Sequence, residues 1–155
     1  MKGKVVLFNP ASVVRLVLLL LFLFSGGCAV TLVGPYDEVT DQAVTDLTNR
    51  TEQFLTRMQT TGAPYQGNES FYTDAKARLA TIRLRAQLYP NNQGELNELD
   101  LLSANLDKLA ALHRLGPLTG TTGNAARQLI ETNFESLLQI ELAKKRSSGV
   151  SAPKS

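Results

Sequence analysis

The stretch that decides the fold class is FYTDAKARLATIRLRAQLY, residues 71–89. Its apolar side chains recur every three or four residues, which is the spacing of one face of an α-helix. The residues on this apolar face are Phe71, Ala75, Leu79, Ile82, Ala86 and Tyr89. One helix cannot bury such a face by itself, so the stretch predicts a helix over 68–89 that packs against other helices.

Three further stretches repeat the pattern and predict helices over 35–61, 95–115 and 123–146. Leu, Ala, Gln, Glu and Arg, which are compatible with helix, dominate these stretches. Their apolar faces carry Val39, Ala43, Leu47, Phe54 and Met58, then Leu99, Leu102, Leu106 and Leu109, then Ala126, Ile130, Phe134 and Leu137. Four such helices with short breaks predict an all-α fold, an antiparallel up-down-up-down four-helix bundle. The alternative is a pair of longer helical hairpins whose open face a partner covers.

Residues at the predicted helix ends have the expected capping chemistry. Pro35 suits the first position of the first helix, and Asn68 is a candidate N-cap of the second. Gly116, followed by Pro117, predicts a left-handed C-cap for the third helix. The basic run 144–146 closes the fourth helix at the negative end of its dipole.

Residues 1–27 have the order of a secretory signal peptide. Lys2, Lys4 and Arg15 are basic, and the segment contains no acidic residue. The apolar run at 16–24 that follows is about half of the roughly 20 residues that a membrane-spanning helix needs. Basic residues, then an apolar run, then small residues predict export and cleavage.

Cys28 is the only cysteine in the chain and follows the small residues Ser25-Gly-Gly27. This junction resembles a bacterial lipoprotein signal, although Ser25 stands where such signals usually carry an aliphatic residue. The resemblance implies cleavage before Cys28 and lipid on its sulfur, which anchors the protein in a membrane. Ala29 then implies the outer membrane, facing the periplasm, for a Gram-negative source. The alternatives are an ordinary signal peptide cut near Gly27, an uncleaved anchor and a buried free thiol.

Cleavage before Cys28 changes the organisation and the charge. The remaining chain divides into a lipidated tether at 28–34, a four-helix domain at 35–146 and a Ser/Gly/Pro-rich tail at 147–155, which we expect to be disordered. Three of the 16 basic residues and none of the 14 acidic residues precede Cys28, so 13 basic and 14 acidic residues remain. This near-neutral balance gives no electrostatic reason to expect nucleic acid as a partner.

Two polar residues interrupt the apolar faces. His113, the only histidine, lies on the face of the third helix. We expect a core histidine with one hydrogen-bond partner, near Met58, Phe71 or Tyr72, because a lone histidine without cysteine or clustered carboxylates does not make a metal site. Asn133 interrupts the face of the fourth helix and is expected to fix the register, with a ligand-facing role as the alternative.

The charged residues of the two middle helices form an acidic and a basic set. The sets are Glu95, Glu98, Asp100 and Asp107, and Lys76, Arg78, Arg83 and Arg85. We expect the acidic set to be solvated, because a helix spreads these positions around its axis. The basic set flanks an apolar face and is expected to cover the core edge with its stems, with an anionic membrane surface as the alternative. Asp74 and Arg78 have the spacing of a helical ion pair.

Several segments together are similar to a group of small uncharacterised bacterial lipoproteins. These segments are Cys28-Ala-Val30, Tyr36–Asp41, Phe71-Tyr72, Leu99–Leu102 and Glu141–Lys145. The resemblance implies the topology and transfers no site residue. Because no recognisable nucleophilic triad or phosphate loop is present, we expect a protein that is not an enzyme and holds no cofactor or metal. We expect a structural or interaction accessory of the cell envelope with a protein partner, and the alternative is a carrier of a small molecule or lipid.

Overall fold

The computed structural model describes residues 33–149, which form four α-helices joined by short loops. The helices are α1 (Glu38–Thr61), α2 (Glu69–Ala86), α3 (Gln93–Leu115) and α4 (Gly120–Ser147). The described chain contains no strand, which confirms the all-α prediction. The signal segment 1–27, Cys28 and residues 150–155 of the tail lie outside the described residues. Within 33–149, no helix combines the length and the apolar character that crossing a membrane requires.

The helices form a closed ring with the predicted up-down-up-down topology. α1 packs against α2 and α4, and α3 packs against the same two helices. Charged pairs between α2 and α3 show that these neighbours are antiparallel, because Lys76 pairs with Asp107 whereas Arg83, two turns later, pairs with Asp100. The predicted four-helix bundle is therefore confirmed. We call the end of the bundle with the α1–α2 and α3–α4 loops the upper end, and the end with the α2–α3 loop the lower end.

The core runs along the bundle axis and uses the predicted apolar faces of α2, α3 and α4. The face of α1 differs from the prediction at its lower end. Val39 is 54% exposed, and Ala43 is only half-buried, whereas Thr40 and Val44 are buried. Counting back from Leu47 by three and seven residues reaches positions 44 and 40, so the helical period itself turns Val39 outward.

α1 begins at Glu38, three residues later than predicted. Asp37 is its N-cap, and its side chain accepts hydrogen bonds from the Val39 amide at 3.3 Å and the Thr40 hydroxyl at 2.7 Å. Pro35 therefore lies outside the helix. Asp37 satisfies an amide that a helix start would otherwise leave without a partner.

Two other predicted caps are also different in the structure. Asn68 stands before α2, but its side chain makes no cap bond and instead donates to the Pro64 carbonyl at 2.7 Å. Gly116 follows α3 with φ 170°, an extended rather than left-handed conformation. The next residue, Pro117, favours extended backbone before it, which explains the difference. The left-handed glycine cap occurs instead at Gly62, after α1, where φ is 60°.

The ends of α2 and α4 also differ from the predicted ranges. α2 ends at Ala86 rather than at Tyr89, and α4 begins at Gly120 rather than at residue 123. Gly123 lies in the first turn of α4, where an added Cβ would lie 2.4 Å from the Leu118 carbonyl oxygen. Only glycine leaves room for this close approach of the Leu118 backbone. Leu118 itself is 1% exposed and closes the upper end of the core.

The segment before α1 packs on the lower end of the bundle. Gly34 is buried, and a Cβ on it would lie 2.4 Å from Asn92 Oδ1 in the α2–α3 loop. The Tyr36 hydroxyl donates to Asp41 at 2.7 Å. Val33 is half-buried beside Asn92 and Ile140, so the last two residues of the predicted tether, Val33 and Gly34, are part of the folded unit.

Candidate interaction surface and buried polar groups

Polar side chains join the helices across three of the four seams of the ring. Lys76–Asp107 and Arg83–Asp100 join α2 to α3, with N–O distances of 2.7 and 2.5 Å. Arg127 of α4 donates to Gln59 of α1 at 3.0 Å and to Glu52 of the same helix. Asn105 and Asn133 join α3 to α4, together with the ion pair Lys144–Glu95.

The seam between α1 and α2 differs from the other three. In the described residues, no side-chain hydrogen bond joins a residue within α1 to one within α2. The two bonds in this region lie at the ends of the seam. Arg57 donates to Asn68 in the upper loop at 3.2 Å, and Arg85 donates to Asp37 before α1 at 2.7 Å. Between these ends lie two open surface depressions, one above the other along the seam, which we together call the α1–α2 groove.

The lower part of the α1–α2 groove is mainly apolar. It has a volume of about 360 Å³. Val39, Ala43 and Ile82 form its apolar lining, and Asp46, Arg78, Thr81 and Arg85 form the rest of its wall. Val39, whose exposure the sequence pattern did not predict, therefore presents its side chain to this depression.

The upper part of the α1–α2 groove is smaller and more cationic. It has a volume of about 200 Å³ and is lined by Arg50, Gln53, Phe54, Arg57, Phe71 and Asp74. The rings of Phe54 and Phe71 stack with centroids 3.7 Å apart, and this pair joins α1 to α2 under the polar rim. The Arg57 guanidinium lies 5.6 Å from the centroid of the Phe54 ring.

The rim of the groove has a surplus of positive charge in its upper half. The predicted pair Arg78–Asp74 is present at 2.7 Å, and Arg78 holds the pKa of the Asp74 carboxyl below its usual value. Within 33–149, Arg50 and Arg57 form no ion pair, whereas Asp74 is already paired. The four basic residues of α2 do flank its apolar face as predicted, and carboxylates bind all four.

A buried triad of charged residues lies at the lower end of the bundle, between α3 and α4. Lys144 donates to Glu95 and, at 2.8 Å, to Glu141. All three side chains are at most 2% exposed. The expectation that Glu95 is solvated is therefore wrong, because position 95 continues the core face of α3 one turn before Leu99. Lys144 likewise points into the core and does not simply close the end of α4.

The buried triad contains two carboxylates but only one ammonium group. Glu95 Oε1 and Glu141 Oε2 have no hydrogen-bond partner among the described residues. Burial raises the pKa of Glu141 to about 7, against the hydrogen bond and charge of Lys144, which lower it. The Glu141 side chain thus takes up a proton near neutral pH, and that proton relieves the excess charge.

His113 lies at the upper end of the core, where the expectation placed it. Its Nδ1 is 2.8 Å from the Tyr72 hydroxyl, and its Nε2 is 2.9 Å from the Ala63 carbonyl oxygen. A carbonyl only accepts, so Nε2 carries the proton and Nδ1 accepts from Tyr72. The histidine therefore has two partners rather than the predicted one. Both ring nitrogens are engaged, which leaves neither free for a ligand.

Asn133 is buried and accepts a hydrogen bond from Asn105 Nδ2 at 2.5 Å. Lys108 Nζ donates to Asn105 Oδ1 at 3.2 Å, so the asparagine pair is linked to a side chain at the bundle surface. The pair links α3 to α4 at a single level along the bundle axis. This agrees with the expectation that Asn133 fixes the register of the two helices. In the described part of the chain, no group of three or more His, Cys, Asp or Glu residues is placed to hold a metal ion.

The fold places the chain among all-α four-helix bundle proteins. A scan of known protein families and searches of curated proteins and of solved structures found no match to this chain.

Proposed function

We propose that this chain is a lipid-anchored protein of the cell envelope. Its bundle faces the periplasm, from the outer membrane in a Gram-negative cell, and acts as a non-enzymatic interaction or structural accessory. The observation that carries the proposal is the junction at Cys28, where basic residues, a short apolar run and three small residues precede the only cysteine. The partner is an envelope protein that binds the bundle.

The packing of the segment before α1 supports a short attachment to the membrane. Because Val33 and Gly34 belong to the folded unit, only residues 29–32 separate Cys28 from it. Five Cα–Cα steps span at most about 18 Å. A lipid on Cys28 therefore keeps the lower end of the bundle within reach of the bilayer surface.

The state of the polar groups supports an interaction role over catalysis. His113 has both ring nitrogens engaged, and the buried triad lies in the core at the lower end. The two depressions of the α1–α2 groove, in contrast, are open to solvent, and exposed and half-buried side chains form most of their walls. An open groove of this kind suits a macromolecular partner.

The alternative is a carrier of a small molecule or lipid. The lower part of the α1–α2 groove favours it, because its lining is mainly apolar and its volume lies at the low end of the range for ligand sites. Such sites enclose most of the ligand surface, however, whereas this groove is open to solvent. Its shape therefore supports the accessory role more strongly than the carrier role.

The anchor is tested by replacing Cys28 with serine in cells supplied with labelled palmitate. We expect the wild-type protein to take up label and fractionate with membranes, and Cys28→Ser to take up none and become extractable. Ser25→Leu is the matched control, since it supplies the aliphatic residue that the junction lacks, and it should increase the labelled fraction. Undiminished membrane association of unlabelled Cys28→Ser protein would overturn the anchor.

A further inference from the structure

The α1–α2 groove defines the chemistry of the partner. We infer that it docks an amphipathic helix of acidic character, supplied by an envelope protein. The inference rests on the proposed role as an interaction accessory and does not require the lipid anchor. It follows from the shape of the groove, from its apolar floor and from the charge of its rim.

The shape of the groove fits a helix. Its two depressions lie along the seam of two antiparallel helices, with Arg57 in the lining of the upper one and Val39 in the lining of the lower one. These residues are 18 positions apart on α1, which corresponds to about 27 Å. A partner helix of about 18 residues has the same length and lies between α1 and α2 as a helix lies between neighbours in a larger bundle.

The floor of the groove provides the apolar contacts. Phe71 is half-buried above its stacked partner Phe54, and Val39 and Ala43 are left partly uncovered lower on the seam. A docking helix covers these positions with one apolar stripe spaced by three and four residues. Ile82, at 1% exposed, forms the base of the lower part and is already part of the core.

The rim of the groove selects acidic flanks on that helix. Arg50 and Arg57 are exposed, lie on the same edge of α1 and are two turns, or about 10 Å, apart. Neither forms an ion pair within the described chain, and the neighbouring Asp74 is already bound to Arg78. Carboxylates two turns apart on the partner match both guanidinium groups. A basic helix would instead place like charges side by side.

The partner segment is identified by photo-crosslinking in the native envelope. A photoreactive residue replaces Ala43 in the groove, and the control places the same residue at Ala104, an exposed alanine of α3. The Ala43 probe is expected to capture a segment with an apolar helical stripe and acidic flanks. Capture of phospholipid, of a second copy of this chain or of a basic segment would overturn the inference. Capture by the Ala43 probe that is no stronger than capture by the Ala104 probe would also overturn the inference.

A synthetic peptide of the captured segment is then titrated against the purified native protein by fluorescence anisotropy. We expect the double change Arg50→Glu/Arg57→Glu to weaken binding at least tenfold. The matched control Arg114→Glu/Arg146→Glu, which reverses two exposed arginines outside the groove, should change it less than twofold. If the two double changes weaken binding equally, Arg50 and Arg57 do not select acidic flanks on the partner helix.

A second pair of variants tests the floor independently of the rim. Ala43→Gln fills the lower groove and is expected to weaken peptide binding about tenfold, whereas Ala104→Gln should leave it unchanged. Circular dichroism confirms that each variant is folded. Because the titration measures binding to the bundle, loss of the anchor in the Cys28 experiment and loss of peptide binding are separate results.

Discussion

The ammonium group of Lys144 lies 2.8 Å from Glu141 Oε1, and both side chains are almost completely excluded from water. Glu95 of α3 contacts the same ammonium, so a single cation pairs with two carboxylates in the core. Moving charged groups from water into the core costs free energy, and the attraction of the partner charges offsets this cost. This arrangement makes the lower end of the bundle sensitive to mutation and to pH.

Lys144→Met is expected to reduce the free energy of unfolding by about 3–5 kcal/mol, because it leaves two buried carboxylates without a cation. Urea denaturation at pH 7.5 measures the effect. Lys145→Met is the control, since Lys145 is only partly buried and lies 3.9 Å from Asp41, and it should cost less than about 1 kcal/mol. Equal losses from the two changes would show that the buried triad contributes nothing specific.

The free energy of unfolding should fall as the pH rises from about 4.5 to 7. The folded protein raises the pKa of Glu141 to about 7, so in this window the folded state binds one proton more than the unfolded state. The total change is about 3 kcal/mol at most. Urea midpoints measured from pH 5 to pH 8 test this trend.

Glu141→Gln provides the control for the pH effect. It keeps a polar side chain of the same shape but removes the titrating carboxyl, so we expect its unfolding midpoint to vary much less between pH 5 and pH 8. Asp37, Asp74 and Asp100 all have pKa values held below the usual value of an aspartate, so they titrate below this window. A slope in Glu141→Gln as steep as in the wild type would assign the effect to other groups.

Tyr72→Phe is expected to destabilise the fold by about 1–3 kcal/mol, since it leaves Nδ1 of the buried His113 without its donor. Tyr65→Phe is the control. Its hydroxyl only accepts from the exposed Arg114, so the cost should be below about 1 kcal/mol. Nitrogen NMR of the His113 ring adds a structural readout, because the wild type should show the proton on Nε2. A proton on Nδ1 would contradict the assigned hydrogen bonds.

Gly123→Ala and Gly94→Ala should have opposite effects on the melting temperature. The Cβ at position 123 meets the Leu118 carbonyl oxygen, so the loop must shift and stability falls by about 1–3 kcal/mol. Position 94 lies in the first turn of α3 with nothing within 4 Å of the added Cβ, so alanine there should stabilise by up to about 1 kcal/mol. Calorimetry measures the change in melting temperature of each variant relative to the wild type. Destabilisation by Gly94→Ala would contradict the open space around that position.

The helical spacing was sufficient to predict the bundle. Faces such as Leu99, Leu102, Leu106 and Leu109 repeat every three or four residues, and short breaks between them leave antiparallel packing as the simplest arrangement. The topology also predicts His113 near Met58, Phe71 or Tyr72, and the structure shows a hydrogen bond to Tyr72. Ends that depend on local hydrogen bonds, such as Asp37 and Gly116, were predicted less well.

The apolar pattern does not predict the buried triad, because its three members are charged. The spacing alone contains the signal: Glu95 lies four residues before Leu99, and Glu141 and Lys144 lie four and seven residues after Leu137. The α1–α2 groove could not be predicted from the sequence, since it depends on which polar side chains meet across each seam. Arg50 and Arg57 differ from the exposed Arg114 and Arg146 in their position, because they line the upper part of the α1–α2 groove.

The ring closes through α1 and α4, the first and last helices of the chain, and this has a consequence for the timing of folding. Contacts such as Arg127 with Glu52 span 75 residues, so they form only after the whole domain has been synthesised. A nascent chain that lacks α4 leaves the core faces of α1 and α3 uncovered. The last helix of the chain therefore completes the fold, whatever the order in which the first three helices form.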